Sequence, residues 1–266
     1  MNRTLLRFRL KHSLPGAAFA LGGLILFGLL MCGAYQAFGM DRNLAEALPG
    51  SEAMLRAMLG ERGALMWDLT SFLAMAWRHP IVLAVIAGMA ASYGSAFLAR
   101  EVGDGTADLL FSRPVTRSRL FWNDLAVSSG IMAAVTVLFS LSLWVAASAM
   151  GLSPPGVAQF FRAGVLTLAF ALALLAVAYL VGSLLSDGRR AMAISAALFI
   201  AMYMVDAVGT LWDRVEPLRP LSLFAYFTPL DSLKARPEGT GNAIILFAVA
   251  AAAVALSHVV AGRRDL

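Results

Sequence analysis

Few side chains in this 266-residue sequence are placed to do chemistry. There are two lysines, Lys11 and Lys234, and neither follows a glycine. A phosphate-cradling loop of the form GxxxxGK(S/T) therefore cannot be built, and the chain is expected to bind neither ATP nor Mg itself. The three histidines, His12, His79 and His258, are far apart, with no HExxH pair and no carboxylate at ligand spacing. That argues against a metal centre or an intramembrane protease. The one cysteine, Cys32, sits inside an apolar run and reads as a small packing residue. With one cysteine, neither an intrachain disulfide nor a cysteine metal cluster is available. The catalytic, cofactor-binding and metal-binding sets are all expected to be empty, so the chain is not read as an enzyme.

Asp206 is different, because it is an acid well inside an apolar run. A carboxylate at the centre of a bilayer costs about 2.5–3.5 kcal/mol on insertion scales. Asp206 lies about five residues off the middle of its run, roughly 7 Å toward one face by helical rise, so its cost is lower. Two readings stand: a residue of a translocation path or proton relay, or an acid snorkelling to the outer interface.

The composition identifies the elements that hold these groups. Sixty per cent of residues are hydrophobic and 14% charged, and the mean hydropathy is +0.77. A soluble domain of this length is about half apolar and a quarter charged, so the chain reads as a polytopic, all-α membrane protein forming a single transmembrane domain over residues 1–266. The net charge of +5 does not indicate nucleic acid, because the arginines flank apolar runs instead of forming a basic face. A span needs about 20 apolar residues. Six runs qualify, at about 16–38, 80–99, 120–150, 162–185, 191–211 and 242–261. The third is long enough to tilt or project. The first is too long for the apolar core of a signal peptide and reads as a retained helix.

Short-loop arginines orient these spans. Six crossings put both termini on one side, together with the segments around Arg100–Arg119 and Arg189–Arg190; that side carries twelve basic residues and is expected to be cytoplasmic. The N-terminal residues 2–12 read either as a flanking positive cluster or as a helix in the headgroup layer. Residues 40–78 and 212–241 read as partly helical outer segments resting on the membrane surface, the second rich in proline and in aromatics such as Trp212, Phe224, Tyr226 and Phe227. Two stripes of small residues on the second run, Ala84–Gly88–Ser92 and Ala87–Ala91–Ser95, are expected at helix contacts, as are Gly22, Gly23, Gly28 and Gly33 on the first.

The polar interruption Arg100–Leu125, REVGDGTADLLFSRPVTRSRLFWNDL, holds a Gly-Asp-Gly turn, a short helical piece at Thr106–Phe111, an Arg-Pro stop and further arginines. This stretch resembles the cytoplasmic loop of ABC-2-type exporter permeases. Glu101, Gly105-Thr106, Leu109-Leu110, Arg113-Pro114 and Val115-Thr116-Arg117 stand in the places of that family's acidic lead, GT, leucine-rich turn, RP and basic Ser/Thr segment. PLSLFAYFTPLDSL, Pro220–Leu233, is similar to the family's outer segment between spans five and six. Asn123 departs from the lysine that many relatives carry before the third span.

The resemblance implies a coupling helix at Thr106–Phe111 seated in a separate ATPase subunit. Leu109, Leu110 and Phe111 would be its apolar anchors, Arg113 and Arg117 its charged contacts, and Pro114 its stop, with Glu101, Gly105 and Thr106 also at the contact. It further implies two ATPase copies carrying ATP and Mg, a second permease copy or close relative, no nucleic acid, and a place in the inner membrane of a bacterium. The function implied is the permease of an ATP-driven exporter. The alternative is a membrane partner of an ATPase that transmits a signal or scaffolds an envelope assembly without transport.

Overall fold

The computed structural model describes residues 3–37, 68–95 and 117–263, with side chains over 9–37, 68–95 and 118–262. The six spans are helical. They are α1 (Arg3–Ala37), the pair α2 (Leu69–Arg78) and α3 (Pro80–Ser95), α4 (Arg117–Ala149), α5 (Val157–Leu184), α6 (Gly188–Gly209) and, after the short α7 (Pro229–Leu233), α8 (Pro237–Arg263). All six are long and apolar enough to cross a membrane. Cross-contacts fix how they alternate. Arg9 at the start of α1 meets Asp124 near the start of α4, and His258 near the end of α8 meets Phe121. Gln36 at the far end of α1 reaches the Met150 carbonyl beyond α4. Both described chain ends therefore lie at one end of the bundle, called proximal here, and Asp206 lies toward the other, distal end.

The first span corrects the reading of residues 2–12 as a separate headgroup helix. From Arg3 onward the chain is one uninterrupted helix of 35 residues. Pro15 does not end it; such residues are tolerated in membrane helices where local adjustment satisfies the freed groups.

The second span begins eleven residues before the expected boundary at position 80, at Leu69. It is broken once, at His79, whose φ of −62° and ψ of 135° are extended. The cause is Pro80, which lacks an N–H and disfavours helical geometry in the residue before it. The break is covered locally. The Ile81 N–H donates to His79 Nδ1 at 3.3 Å, and the Leu83 N–H donates to the His79 carbonyl at 3.1 Å. α2 is buried on nearly every side. Its Trp77 indole N–H donates to the Ser140 hydroxyl of α4 at 3.3 Å, and its ring packs on Phe160 of α5.

α5 is the hub of the bundle, flanked by α3, α4, α6, α7 and α8. Its face runs through Ala163, Ala169, Ala171, Ala173, Ala176 and Ala178, all buried. Small side chains let backbones approach where burial of apolar surface gives no driving force between helices in lipid. The tightest crossing is with α3. A Cβ on Gly94 would sit 2.4 Å from the Ala178 Cβ, and one on Gly182 would sit 2.7 Å from the Gly94 carbonyl oxygen. Of the two stripes of small residues, Ala91 and Ser95 are buried within the chain, whereas Ala84, Gly88 and Ser92 are exposed on it. On α1, Gly28 faces Leu143, while nothing among the described residues lies against Gly22, Gly23 or Gly33.

The distal segment after α6 also differs from expectation. Its first half, up to Leu221, stays largely at the surface, but from Ser222 to Leu233 it dips into the bundle. Glu216–Leu221 and Leu223–Tyr226 form two 3-10 turns before α7. Ser222, Leu223, Phe224, Phe227, Ser232 and Leu233 are all buried. Phe227 stacks on Phe170 of α5, with ring centroids 4.5 Å apart, and Phe224 meets Phe170 and Tyr203 edge-on. The Ser222 hydroxyl donates to the Met202 carbonyl of α6 at 2.7 Å. Residues 211–214, 216–218, 220–221 and 234–238 remain exposed, among them Leu211, Trp212 and Leu221.

Candidate functional site

The distal charged centre is assembled from three parts of the chain. Asp206, on the last turn of α6, is fully buried. Arg78 reaches it from the end of α2, its Nη2 donating to Asp206 Oδ2. Arg219 reaches it from the first 3-10 turn, with Nε and Nη2 on Oδ1 at 3.2 and 3.1 Å. Arg78 Nη1 also donates to the backbone carbonyls of Phe227, at 2.7 Å, and Phe224, at 3.3 Å. One arginine thus holds the acid and the inserted segment together. Gly209 makes room for the other: a Cβ there would lie 2.4 Å from Arg219 Cγ. Asp206 is therefore not a snorkelling acid. Water is replaced by two guanidiniums, whose forked N–H donors suit a carboxylate in low dielectric.

The sequence pointed to Asp206 but not to its partners. Arg78 reads as a loop arginine before a proline, and Arg219 as one basic residue in a proline-rich stretch. The usable signal was the acid itself, because a buried carboxylate needs a cation.

A second buried charge lies at the proximal end. Asp124 of α4 accepts from Arg9 Nε at 3.1 Å and from the Tyr179 hydroxyl of α5 at 2.7 Å. Since that hydroxyl has one proton, the Ser128 hydroxyl, 3.1 Å away, donates to the Tyr179 oxygen. The Ser257 hydroxyl of α8 donates to the Tyr179 carbonyl at 3.1 Å, so the network joins α1, α4, α5 and α8. Beside it, Asn123 is buried, and its Oδ1 has no hydrogen-bond partner among the described residues. His79 and His258 lie at opposite ends, as the topology required; His79 packs on Phe27 and His258 on Phe121 and Trp122.

Between α5 and α6, Asp187 caps the start of α6. Its Oδ1 accepts the backbone N–H groups of Arg189 at 2.8 Å and Arg190 at 3.3 Å. These bonds stabilise the ionised form and hold the carboxyl below the usual carboxylate range.

Of the residues expected to contact an ATPase, Glu101, Gly105, Thr106, Leu109, Leu110, Phe111, Arg113 and Pro114 lie outside the described residues, and Arg117 is the first residue of α4. The described helices do fix where that connection attaches. It leaves α3 after Ser95 and rejoins at Arg117, and both points are proximal, close to the Asp124 network.

The family whose model is described as ABC-2 family transporter protein matches residues 19–266, nearly the whole chain. Neither a curated protein nor a solved structure matches it. With six membrane-crossing helices and that match over more than nine-tenths of its length, this chain belongs to the ABC-2 transporter family, as a multi-pass permease subunit of an ABC transporter.

Proposed function

We propose that the chain forms the translocation path of an ATP-driven exporter, working as a dimer of two copies or of one copy with a close relative. The proximal end faces the cytoplasm of a bacterium, where two separate ATPase subunits bind ATP and Mg and supply the energy. The family match gives the class of machine. The observation that carries the rest is the placement of the 96–116 connection: it attaches at the end of the bundle where both described chain ends and the capped turn Asp187–Arg190 lie. That is the arginine-rich end, as positive-inside orientation requires.

In this reading Thr106–Phe111 is a coupling helix. Leu109, Leu110 and Phe111 fill an apolar groove of the ATPase, and Glu101, Arg113 and Arg117 make charged contacts at its rim. Gly105 allows the close approach and Pro114 stops the helix. Motion of this connection is delivered to α3 and α4. α3 is locked to α5 at the Gly94–Gly182 crossing, so displacement reaches the central helix directly. Asp206 belongs to the wall that closes the distal end of the path and does not offer a bare charge to a substrate.

The test is replacement of Leu109 and Leu110 together by Asp. Placing two carboxylates in an apolar groove without partners costs several kcal/mol, more than a modest interface can spare. The expected outcome is loss of ATPase co-purification with unchanged thermal stability of the permease. Normal recovery of the ATPase with the double variant contradicts the coupling role. A complex that hydrolyses ATP in vesicles but accumulates no substrate from a library of lipids, hydrophobic drugs and peptides favours a signalling or scaffolding partner.

A further inference from the structure

We propose that the Asp206 centre is an asymmetric latch on the inserted distal segment: Arg78 is the arm that lets go, and Arg219 is the resident counter-ion that makes its release feasible. This rests on the reading above only in supposing that the distal end opens.

Three observations separate the two arginines. Arg219 belongs to the same stretch of chain as Asp206, thirteen residues away, and grips one carboxylate oxygen with two donors. Its stem lies across Gly209, where no side chain could stand. Arg219 therefore moves with the end of α6. Arg78 comes from another span, 128 residues away in sequence. It sits immediately before the His79–Pro80 break, the point at which α2 and α3 can change their mutual angle with few hydrogen bonds at stake. It is also the arginine that holds the segment, through the Phe224 and Phe227 carbonyls.

The charges explain why two arginines serve one acid. A fully buried carboxylate with a single cation could not surrender it, because the acid would be left unpaired in low dielectric. With Arg219 in place, Asp206 stays neutralised when Arg78 withdraws. Arg78 is about one-third exposed, so its guanidinium reaches water or headgroups on release. The two carbonyls it leaves belong to Phe224, in the second 3-10 turn, and Phe227, which caps that turn; both residues are buried, so water replaces the guanidinium there as the segment lifts.

The latch predicts opposite effects from removing the two arginines, whereas a static clamp predicts the same effect from both. The probe is Leu223, buried in the inserted segment, replaced by Cys in a Cys32→Ala background. The permease alone is placed in nanodiscs, with both faces open to a soluble maleimide. Neither ATPase nor substrate is present, so failure here is distinguishable from failure of the exporter reading. Arg78→Gln is expected to raise the labelling rate about tenfold or more, the size of losing charge-assisted hydrogen bonds. Arg219→Gln is expected to leave the rate at or below that of the parent, because Arg78 is then the only countercharge. Arg78→Lys, which keeps the charge but gives up the fork to the carbonyls, moves in the same direction as Arg78→Gln by less. It carries the test if Arg78→Gln is not recovered folded. Equal increases from the Arg78 and Arg219 variants, or no change from either, overturn the proposal.

Discussion

Asp206 and Asp124 are both buried carboxylates, each satisfied by other spans, but their surroundings differ. Asp206 takes two guanidiniums, and one of these also binds the backbone of an inserted segment. Among the described residues, Asp124 takes one guanidinium, Arg9, from the first turns of α1, and the Tyr179 hydroxyl, whose oxygen is in turn bonded by Ser128. The distal centre therefore fastens a segment to the bundle through charge, and the proximal network joins four helices through shared hydrogen bonds. Doubling the countercharge permits one partner to leave. A single countercharge with a tyrosine behind it favours a joint that stays made.

The largest effect should come from Asp206→Asn, which leaves two arginines partly buried without their acid. Breaking a buried pair by removing one partner costs about 3–5 kcal/mol. The exposed third of each arginine side chain should bring the loss to the lower end, read as reduced thermal stability in detergent. A change no larger than that of Asp124→Asn would erase the distinction between the two centres.

Next comes Gly94→Leu at the α3–α5 crossing. Even a Cβ there would lie 2.7 Å from the Ala178 carbonyl carbon, so backbone has to move, at about 1–3 kcal/mol or more. Gly88→Leu, on the exposed face of the same helix, where a Cβ meets nothing, should be near neutral. Equal losses would contradict the assigned packing face.

A smaller effect sharpens the proximal half of the comparison. Tyr179→Phe removes the donor to Asp124 and the acceptor for Ser128, expected to cost about 1–3 kcal/mol. Because Arg9 remains, the cost should be less than that of Asp206→Asn in the same assay.

The smallest effect is pH-linked. Asp187 is held below its ordinary range by two backbone N–H groups. Its capping contribution is therefore present above the unfolded value of about 3.9 and is lost as pH falls through the folded value. Asp187→Asn should flatten that part of an acid-stability profile and lower stability slightly at neutral pH, where the ionised cap contributes, with the difference vanishing in acid.

Much of the fold was legible because six apolar runs each meet the length a bilayer demands. Hydropathy misplaces the start of the second span and leaves two readings open for Asp206, both for one reason. Hydropathy treats Arg78-His79-Pro80 as the edge of a span, but Arg78 is held inside by Asp206, and the acid is held inside by Arg78 and Arg219. A pairwise neutralisation between residues 78, 206 and 219 leaves no local trace in sequence. Phe224 and Phe227 read as surface aromatics in sequence because aromatic residues suit both interfaces and cores; the contacts with Phe170 decide. Small residues mark close approach but not which face approaches, so the spacing singles out the exposed Gly88 and passes over Gly94 and Gly182, which make the crossing. The expected ATPase contacts at 101–114 rest on the motif and its attachment points, since that stretch lies outside the described residues.

The central claim is that ATP hydrolysis in a partner drives opening at the Asp206 end. The most direct measurement is maleimide labelling of Leu223→Cys, in the Cys32→Ala background, in the permease–ATPase complex in nanodiscs. Labelling is followed without nucleotide, with Mg-ATP, and with Mg-ATP plus Leu109→Asp/Leu110→Asp. Labelling should accelerate with Mg-ATP in the first complex and stay at the nucleotide-free rate in the loop variant. Steady ATP hydrolysis by the intact complex with no change in labelling at Leu223→Cys would contradict the account.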